Sequence, residues 1–400
     1  MEGLKDISDA ESMKDEVDGK IGCRVCGARV HAMQIHLREE HPEISLADYC
    51  DQFPGAPVLS DRARALAEQK RAAAAASAVE SEKAPDLAGF KVTKTPMNEL
   101  FGLGRAKAAL SHRGTEIPVT LMSPPEEVEI YVPEKDSNYI FNIDLLKTVL
   151  LGLENNYPVY LWGHAGVGKT TVLEQICAYT RRPWMRVQHT RNTEEAHVLG
   201  QWIVKDGQTV FELGPLPYAM KHGLTYVADE YDFAMASVLS LYQPVLEGKA
   251  LVIKDADREN RIIKPHPLFR FCATGNTNGT GDETGLYAGT LIQNAANYER
   301  FAIVEEVRYP ERKVELGIVA GQGGIKVEEA ERLVSFGAAV REAFTNGKIG
   351  LPISPRALIH AAQIGKRRGS SRVGLMLAYV NRLSRTDQQA VTEMLDRMAL

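Results

Sequence analysis

The sequence predicts an α/β fold: a parallel sheet flanked by helices, a small C-terminal helical domain and a small N-terminal metal-binding unit. Three observations support this. Apolar runs typical of buried strands end in glycine or polar residues. After residue 310, apolar residues recur at intervals of three and four, as on one face of a helix. Cysteines and histidines cluster near the N-terminus. We expect five segments: an acidic flexible arm 1–19, a zinc-finger unit 20–58, an alanine-rich helical spacer and linker 59–94, a nucleotide-binding core 95–309 and a helical lid 310–400.

Composition predicts a soluble protein. Of the 400 residues, 44% are hydrophobic and 25% charged, which is ordinary for globular domains. The net charge of −5 gives no general attraction to nucleic acid or anionic membrane. No apolar run is long enough to span a bilayer, and residues 1–18 do not form a signal peptide, so a cytoplasmic location with no membrane partner is expected.

Four residues near the N-terminus have metal-ligand spacing. Cys23 and Cys26 are separated by two residues, His36 follows after nine more and His41 after another four. Two thiolates and two imidazoles can bind Zn²⁺ tetrahedrally, and a unit this small needs such a crosslink to fold. His31 is a competing ligand, and a redox-active cysteine pair is the alternative.

The spacing and the tail Ile44-Ser45-Leu46-Ala47-Asp48-Tyr49 resemble the prokaryotic Ros/MucR zinc fingers, and the resemblance implies DNA binding. However, residues 1–51 contain twelve acidic and six basic residues. Such a balance opposes phosphate contacts, so we favour protein docking, while DNA stays open because Arg24, Arg29 and Arg38 could form a basic face. The alanine-rich stretch after Asp61 has no apolar stripe and is predicted to be a spacer.

A phosphate-binding loop is predicted from residue 163 to residue 171. It lies between the apolar run Val159-Tyr160-Leu161-Trp162 and a predicted helix, and it comprises Gly163, His164, Ala165, Gly166, Val167, Gly168, Lys169, Thr170 and Thr171. In such loops the backbone N–H groups surround the phosphates, the lysine reaches the β- and γ-phosphates and the hydroxyl ligates Mg²⁺.

Two later strands end in residues suited to hydrolysis. The strand from Leu224 ends in Asp229 and Glu230, predicted to hold Mg²⁺ and to activate the attacking water. The next strand ends near Asn276, a candidate for positioning the water or the γ-phosphate. ATP is favoured over GTP because no guanine-recognition pattern follows. Hairpins are predicted at 200–212, with Asp206-Gly207 at the tip, and at 250–263.

Residues 101–361 resemble the AAA+ ATPases of the MoxR group, most closely the cobaltochelatase subunit CobS. The motifs that carry the resemblance are Tyr131-Val132-Pro133, the phosphate loop, Asp229-Glu230-Tyr231-Asp232, Ile263-Lys264-Pro265-His266-Pro267, Ala273-Thr274-Gly275-Asn276-Thr277, Gly281 to Thr290 and Ser354-Pro355-Arg356. The resemblance implies an AAA+ ring, most commonly a hexamer. In that ring Arg300 would be the arginine finger, and Arg356 the sensor-2 arginine.

Two functions follow. The first is an ATPase that drives a partner complex, with a von Willebrand A adaptor of the CobT type and a large chelatase-like subunit. The second is a DNA-associated motor that is recruited through the zinc finger. A phage-encoded protein is one form of this second function. Alternative roles for Arg300 and Arg356 are surface charges. Cys177 and Cys272 are expected in the core, and helices are predicted at 327–344, 355–366 and 373–398.

Overall fold

A computed structural model describes residues 19–66, 68, 87–104 and 106–399. Residues 1–18 of the predicted N-terminal arm, and residues 67 and 69–86 of the predicted spacer and linker, lie outside the described residues. The chain divides into two compact units, one ending at Pro85 and the other running from Asp86 to the C-terminus.

The first unit is a short antiparallel hairpin followed by two helices. Its elements are β1 (Ile21–Gly22), β2 (Arg29–Val30), α1 (Met33–Glu40) and α2 (Leu46–Gln52). Helix α2 begins with a capping box, in which Ser45 and Asp48 each bond the other's backbone N–H. The apolar core is small, built around Met33, Leu37 and Tyr49, as expected for a unit that needs a further crosslink.

A five-stranded parallel sheet forms the centre of the second unit. In spatial order its strands are β13 (Ile303–Glu306), β5 (Val159–Trp162), β12 (Arg270–Gly275), β9 (Thr225–Asp229) and β6 (Trp184–Gln188). The middle strands are apolar almost throughout and are buried, as strands covered on both faces must be. Because all five strands are parallel, the carboxyl ends of β5, β12 and β9 meet at one edge.

Helices cover this sheet and connect its strands. In chain order they are α3 (Met97–Leu100), α4 (Glu126–Glu129), α5 (Ile143–Asn155), α6 (Lys169–Thr180), α7 (Glu195–Leu199), α8 (Pro215–His222), α9 (Ala236–Leu239), α10 (Gln243–Leu246) and α11 (Ala295–Tyr298). Helix α6 follows the phosphate loop directly, so its N-terminus faces the same edge.

The predicted boundary at residue 94 is wrong, since it falls within a strand of the second unit. Strand β3 (Lys91–Pro96) pairs antiparallel with β4 (Pro118–Ser123) over six residue pairs. Polar residues in β3 hid this pairing, because its side chains are mostly exposed.

Both predicted hairpins are confirmed. Strands β7 (Gly200–Lys205) and β8 (Gln208–Leu213) meet at Asp206 and Gly207, which both have positive φ, the geometry of a type I′ turn. The second hairpin pairs β10 (Leu251–Val252) with β11 (Ile262–Ile263). A hydrogen bond from Trp202 Nε1 to the Asp255 carbonyl (2.8 Å) joins the two hairpins.

The C-terminal region is helical, as predicted. It comprises α12 (Arg312–Gly323), α13 (Val327–Thr345), α14 (Pro355–Arg368), α15 (Ser371–Ala378) and α16 (Arg385–Arg397). The helix predicted at 373–398 is interrupted after Ala378 by a 3₁₀ turn, and Ser384 caps α16. Among the described residues, no helix combines the length and apolar character needed to cross a bilayer.

Candidate functional site

The predicted phosphate loop connects β5 to α6, so the strand–loop–helix arrangement expected from the sequence is present. Two glycines are required by close backbone approach as well as by positive φ. A Cβ at Gly163 (φ 144°) would lie 2.4 Å from the Val307 carbonyl oxygen, and one at Gly166 (φ 79°) would lie 2.6 Å from Ser354 Oγ. Since Ser354 caps α14, Gly166 brings the loop into contact with the C-terminal helices.

Lys169 lies buried at the start of α6. Its ammonium group donates hydrogen bonds to the carbonyls of Gly163 (2.7 Å) and His164 (3.0 Å) and to Asn276 Oδ1 (3.0 Å). Burial lowers the Lys169 pKa to about 8, against the opposing effect of Asp232 and Asp229. The structure therefore brings Lys169 and Asn276 together from separate strand ends.

Asp229 ends β9 with both carboxylate oxygens engaged. Oδ1 accepts hydrogen bonds from Thr170 Oγ1 (2.8 Å) and Thr274 Oγ1, and Oδ2 accepts from Arg186 Nε (2.7 Å) and from its NH2 group. Burial opposes ionisation, but the bonds from Thr274 and Thr170, with Arg186 beside them, lower the Asp229 pKa. Thr170 and Asp229, the predicted Mg²⁺ ligands, are thus adjacent and oxygen-rich, as a magnesium site requires.

Glu230 follows in a left-handed conformation, with φ of 53°. Its carboxylate accepts a hydrogen bond from Gln188 Nε2 (2.8 Å), and its backbone N–H donates to Thr274 Oγ1 (3.3 Å). A non-glycine residue at positive φ beside a catalytic loop is the kind of local strain found at functional sites.

Asp232 is fully buried and fixes the loop that carries Asn276. Its Oδ2 accepts hydrogen bonds from the Asn276 N–H (2.8 Å), the Thr277 N–H (2.9 Å) and Thr277 Oγ1 (3.0 Å). Burial raises the Asp232 pKa, although these hydrogen bonds oppose the shift. Asp232 belongs to the Asp229-Glu230-Tyr231-Asp232 motif, but its position in the sequence did not predict this role.

Sequence reasoning also missed Arg186 and Gln188. Both lie on β6, which pairs with β9 so that Gln188 is opposite Asp229. The signal was present as polar residues at alternate positions of an otherwise apolar strand, but it becomes informative only when β6 is known to neighbour β9.

The two arginines identified by resemblance lie in different surroundings. Arg356 is exposed on the first turn of α14, with its Cβ 3.6 Å from the position a Gly166 Cβ would take, so it is adjacent to the phosphate loop. Arg300 follows α11, where its Nε donates to Glu247 Oε1 (2.8 Å) and its NH1 group to the Ala296 carbonyl. Arg300 therefore forms an ion pair with Glu247, on the segment after α10, and not with the acidic residues near it in sequence, Glu299 and Glu305. Thr171 lies on α6 in the turn after Lys169.

In the first unit, the four predicted ligand atoms of Cys23, Cys26, His36 and His41 all lie within 4.8 Å of one another. Cys26 Sγ and His36 Nε2 are 3.2 Å apart, while the buried His41 Nε2 has no hydrogen-bond partner among the described residues. Around tetrahedral Zn²⁺, ligand atoms are roughly 3.5 Å apart, so this donor set fits zinc after a small contraction. The competing His31 is 2.9 Å from Ser60 Oγ and lies outside the cluster.

The remaining cysteines carry no such geometry. Cys177 and Cys272 are fully buried, as predicted, and burial raises the pKa of both thiols. Cys50 is exposed.

Comparisons with known proteins place these features in a family. Residues 158–288 match the AAA domain of the dynein-related subfamily, and residues 315–400 match the CbbQ/NirQ/NorQ C-terminal domain. The chain is 32% identical over 318 residues to aerobic cobaltochelatase subunit CobS from Sinorhizobium sp., covering 77% of this chain and 91% of that one. It is 24% identical over 241 residues to Protein NorQ of Paracoccus denitrificans, covering 60% and 82%. It is also 26% identical over 228 residues to mouse von Willebrand factor A domain-containing protein 8, covering 54% and 11%.

Proposed function

The chain belongs to the CobS group of AAA+ ATPases, and we propose that it works as a ring whose ATP hydrolysis drives a partner protein complex. The observation that carries the proposal is the convergence of Lys169, Thr170, Asp229 and Asn276 at one edge of the sheet. These side chains come from three separate strand ends, and together they supply what phosphoryl transfer to water needs.

We assign a role to each of these residues from the contacts it makes. Lys169 neutralises the β- and γ-phosphates, and the anionic charge favours its protonated form despite burial. Thr170 and Asp229 hold Mg²⁺, which stabilises negative charge on the phosphates when bound. Glu230, oriented by Gln188, accepts a proton from the attacking water, and Asn276 positions that water or the γ-phosphate. Arg356, next to the loop, responds to the nucleotide from the C-terminal helices.

The partner proposal rests on the relatives. CobS is named as a subunit of a chelatase, and the mouse relative carries a von Willebrand A domain in the same chain. We therefore propose a von Willebrand A adaptor and a large chelatase-like subunit as partners, with metal insertion as the driven reaction and the two exposed hairpins as the contact region. Trp202 and Val204 on one hairpin, and Val252 and Ile262 on the other, are exposed apolar residues suited to this contact.

The N-terminal unit supports a second candidate. With Zn²⁺ held by Cys23, Cys26, His36 and His41, it would be a Ros-like finger that recruits the ATPase either to protein or to DNA. The acidic excess of residues 1–51 favours protein.

The test is an ATP trap. Glu230→Gln should bind ATP and lose at least roughly a hundredfold in hydrolysis, because general-base catalysis contributes about 10²–10⁴. Captured with ATP from its native cell, it should retain an adaptor and a large subunit that resist nuclease. Lys169→Ala, which cannot load ATP, is the matched control. Recovery only of nuclease-sensitive DNA-bound proteins would replace the partner proposal with the DNA-associated motor, and parental hydrolysis by Glu230→Gln would remove Glu230 from the mechanism.

A further inference from the structure

The loop from Gly281 to Thr290 has no role in the mechanism above, yet the structure places it on the phosphate loop. The Tyr287 hydroxyl oxygen accepts a hydrogen bond from the Ala165 backbone N–H (3.0 Å) and lies 3.0 Å from His164 Nδ1. A tyrosine hydroxyl both donates and accepts hydrogen bonds, so the Ala165 contact leaves the same group able to bond the His164 imidazole. Tyr287 therefore engages two consecutive residues of the phosphate loop through one hydroxyl.

The Gly281–Thr290 loop is itself built to hold Tyr287 in place. Asp282 Oδ2 accepts the Tyr287 backbone N–H (2.5 Å), and Asp282 Oδ1 accepts both the N–H (2.9 Å) and the hydroxyl (2.8 Å) of Thr284. At its other end the loop lies on the turn after β9. A Cβ at Gly289 would lie 2.2 Å from the Phe233 ring, and the Leu291 N–H donates to the Asp232 carbonyl (2.7 Å).

His164 is also enclosed by aromatic rings. Its imidazole stacks on Tyr309 with ring centroids 5.8 Å apart and meets Phe344 edge-on at 6.0 Å. Thus rings enclose the His164 imidazole, and in the described part of the chain the Tyr287 hydroxyl is its hydrogen-bond partner, while Lys169 holds the His164 carbonyl. The Tyr309 hydroxyl, by contrast, is buried with no hydrogen-bond partner in the described part of the chain.

We propose that Tyr287 is a positioning residue of the ATPase site, whose hydroxyl fixes the His164–Ala165 peptide in the orientation that binds nucleotide. A phosphate loop acts through the direction of its backbone N–H groups. His164 and Ala165 lack the steric demands that fix Gly163 and Gly166. Lys169 holds the carbonyl of the His164–Ala165 peptide and Tyr287 holds its N–H, so the Tyr287 hydroxyl supplies one of the two contacts that set this peptide plane. The inference rests on the proposed identity of residues 163–170 as the phosphate loop.

The test compares two tyrosines that face the same imidazole. Tyr287→Phe removes a hydroxyl with two hydrogen-bond partners, whereas Tyr309→Phe removes a hydroxyl that has no partner among the described residues. Because a hydrogen bond contributes about 0.5–1.5 kcal/mol, Tyr287→Phe should raise the Kd for a non-hydrolysable ATP analogue, and the KM for ATP, roughly two- to twelvefold. Its kcat should stay within about twofold, since the hydroxyl acts on binding geometry. Tyr309→Phe should bind and hydrolyse ATP as the parent does.

Asp282→Ala extends the test, because it should free Tyr287 and raise Kd by a similar factor. The double variant Asp282→Ala/Tyr287→Phe should then have a Kd no higher than that of the weaker-binding single variant, since both changes remove the same contact. Unchanged or tighter binding by Tyr287→Phe would overturn the inference, as would fully additive effects. Thermal melting and binding stoichiometry separate misfolding from weakened binding. If Lys169→Ala also bound nucleotide normally, the phosphate-loop assignment itself would fail. Loss of binding in Lys169→Ala with a normal Tyr287→Phe would reject only the role of Tyr287.

Discussion

Arg186 occupies one side of the carboxylate that we assign to Mg²⁺. Its guanidinium bonds Asp229 Oδ2, while Thr170 and Thr274 bond Oδ1. A hydrated Mg²⁺ bound through Asp229 and Thr170 must therefore compete with contacts already made within the protein. Arg186 is about half exposed, at 46% of its side chain, so its guanidinium has solvent to turn into when Mg²⁺ binds beside Asp229.

Removing this competitor should make magnesium binding easier. Arg186→Gln should lower the Mg²⁺ concentration that gives half-maximal ATPase activity by at least roughly twofold, because an exposed ion pair already contributes about 0.5 kcal/mol and the Asp229 carboxylate is buried. The measurement is ATPase rate against free Mg²⁺ at saturating ATP. Arg181→Gln is the control, because the Arg181 side chain is as exposed as that of Arg186 but pairs with the exposed Glu129 on α4, outside the predicted site. A higher Mg²⁺ requirement in Arg186→Gln would mean that Arg186 supports the metal site.

At this scale, local sequence predicted the residues that end strands and missed those that depend on neighbours. Lys169, Asp229 and Asn276 each follow an apolar run, so their position at a sheet edge can be inferred locally. Arg186 becomes part of the site only because β6 pairs with β9. That pairing is a long-range property of strand order, which periodicity does not encode.

Among the elements, β3 and β4 show why the linker prediction extended too far. Glu154, on α5, binds Lys94 of β3 (2.6 Å), Thr120 of β4 (2.6 Å) and the buried Arg182 (2.8 Å). Although burial opposes ionisation, Arg182, together with the Lys94 and Thr120 bonds, lowers the Glu154 pKa to about 2. The hairpin is thus held to the core by a polar network. Apolar patterning gave no sign of it, and so Lys91–Pro96 resembled linker sequence.

The N-terminal unit shows the opposite case, in which spacing was more informative than apolar pattern. Its four candidate ligands come from the β1–β2 hairpin, from α1 and from the residue that ends α1. If zinc crosslinks them, its removal should unfold this unit and leave the ATPase unit intact, because the metal supplies folding free energy that the small core lacks.

Zinc content and proteolysis of the full chain can test this expectation. The parent should contain one zinc per chain, and chelation should expose residues 20–58 to protease while the ATPase rate stays within about twofold. Cys26→Ser should lose the zinc, and Cys50→Ser, which removes an exposed cysteine outside the cluster, should keep it. Full zinc content in Cys26→Ser would contradict the proposed ligand set.

For the whole molecule, composition and motif order predicted a finger followed by an ATPase and a helical lid, but not how the lid meets the site. The contact of Gly166 with Ser354, and the nearness of Arg356, join residues almost two hundred positions apart. Helical periodicity predicted α13 and α14 without indicating that α14 begins beside the phosphate loop. Only the folded chain brings these together, since capping and packing at such a distance leave no local pattern.

The proposed ring forms between copies of this chain, and Arg300 offers a test of it. Within the chain Arg300 pairs with Glu247. If it also completes a neighbour's ATP site, Arg300→Ala should lose most activity, because an arginine finger contributes about 10³–10⁵ to the rate. Mixing Arg300→Ala with inactive Lys169→Ala protomers should restore activity. About a quarter of the interfaces in a random equimolar ring would then pair an intact site with an intact arginine.

The recovered rate should therefore approach roughly a quarter of the parental rate once the protomers have exchanged. Glu247→Gln is the matched control, since it breaks the ion pair within the chain and leaves Arg300 in place. It should retain ATPase activity, because the arginine stays free to reach a neighbouring phosphate. If Glu247→Gln lost as much activity as Arg300→Ala and mixing restored nothing, Arg300 would act within its own chain as a partner of Glu247. In that case another residue would have to supply the positive charge that stabilises the transition state of ATP hydrolysis.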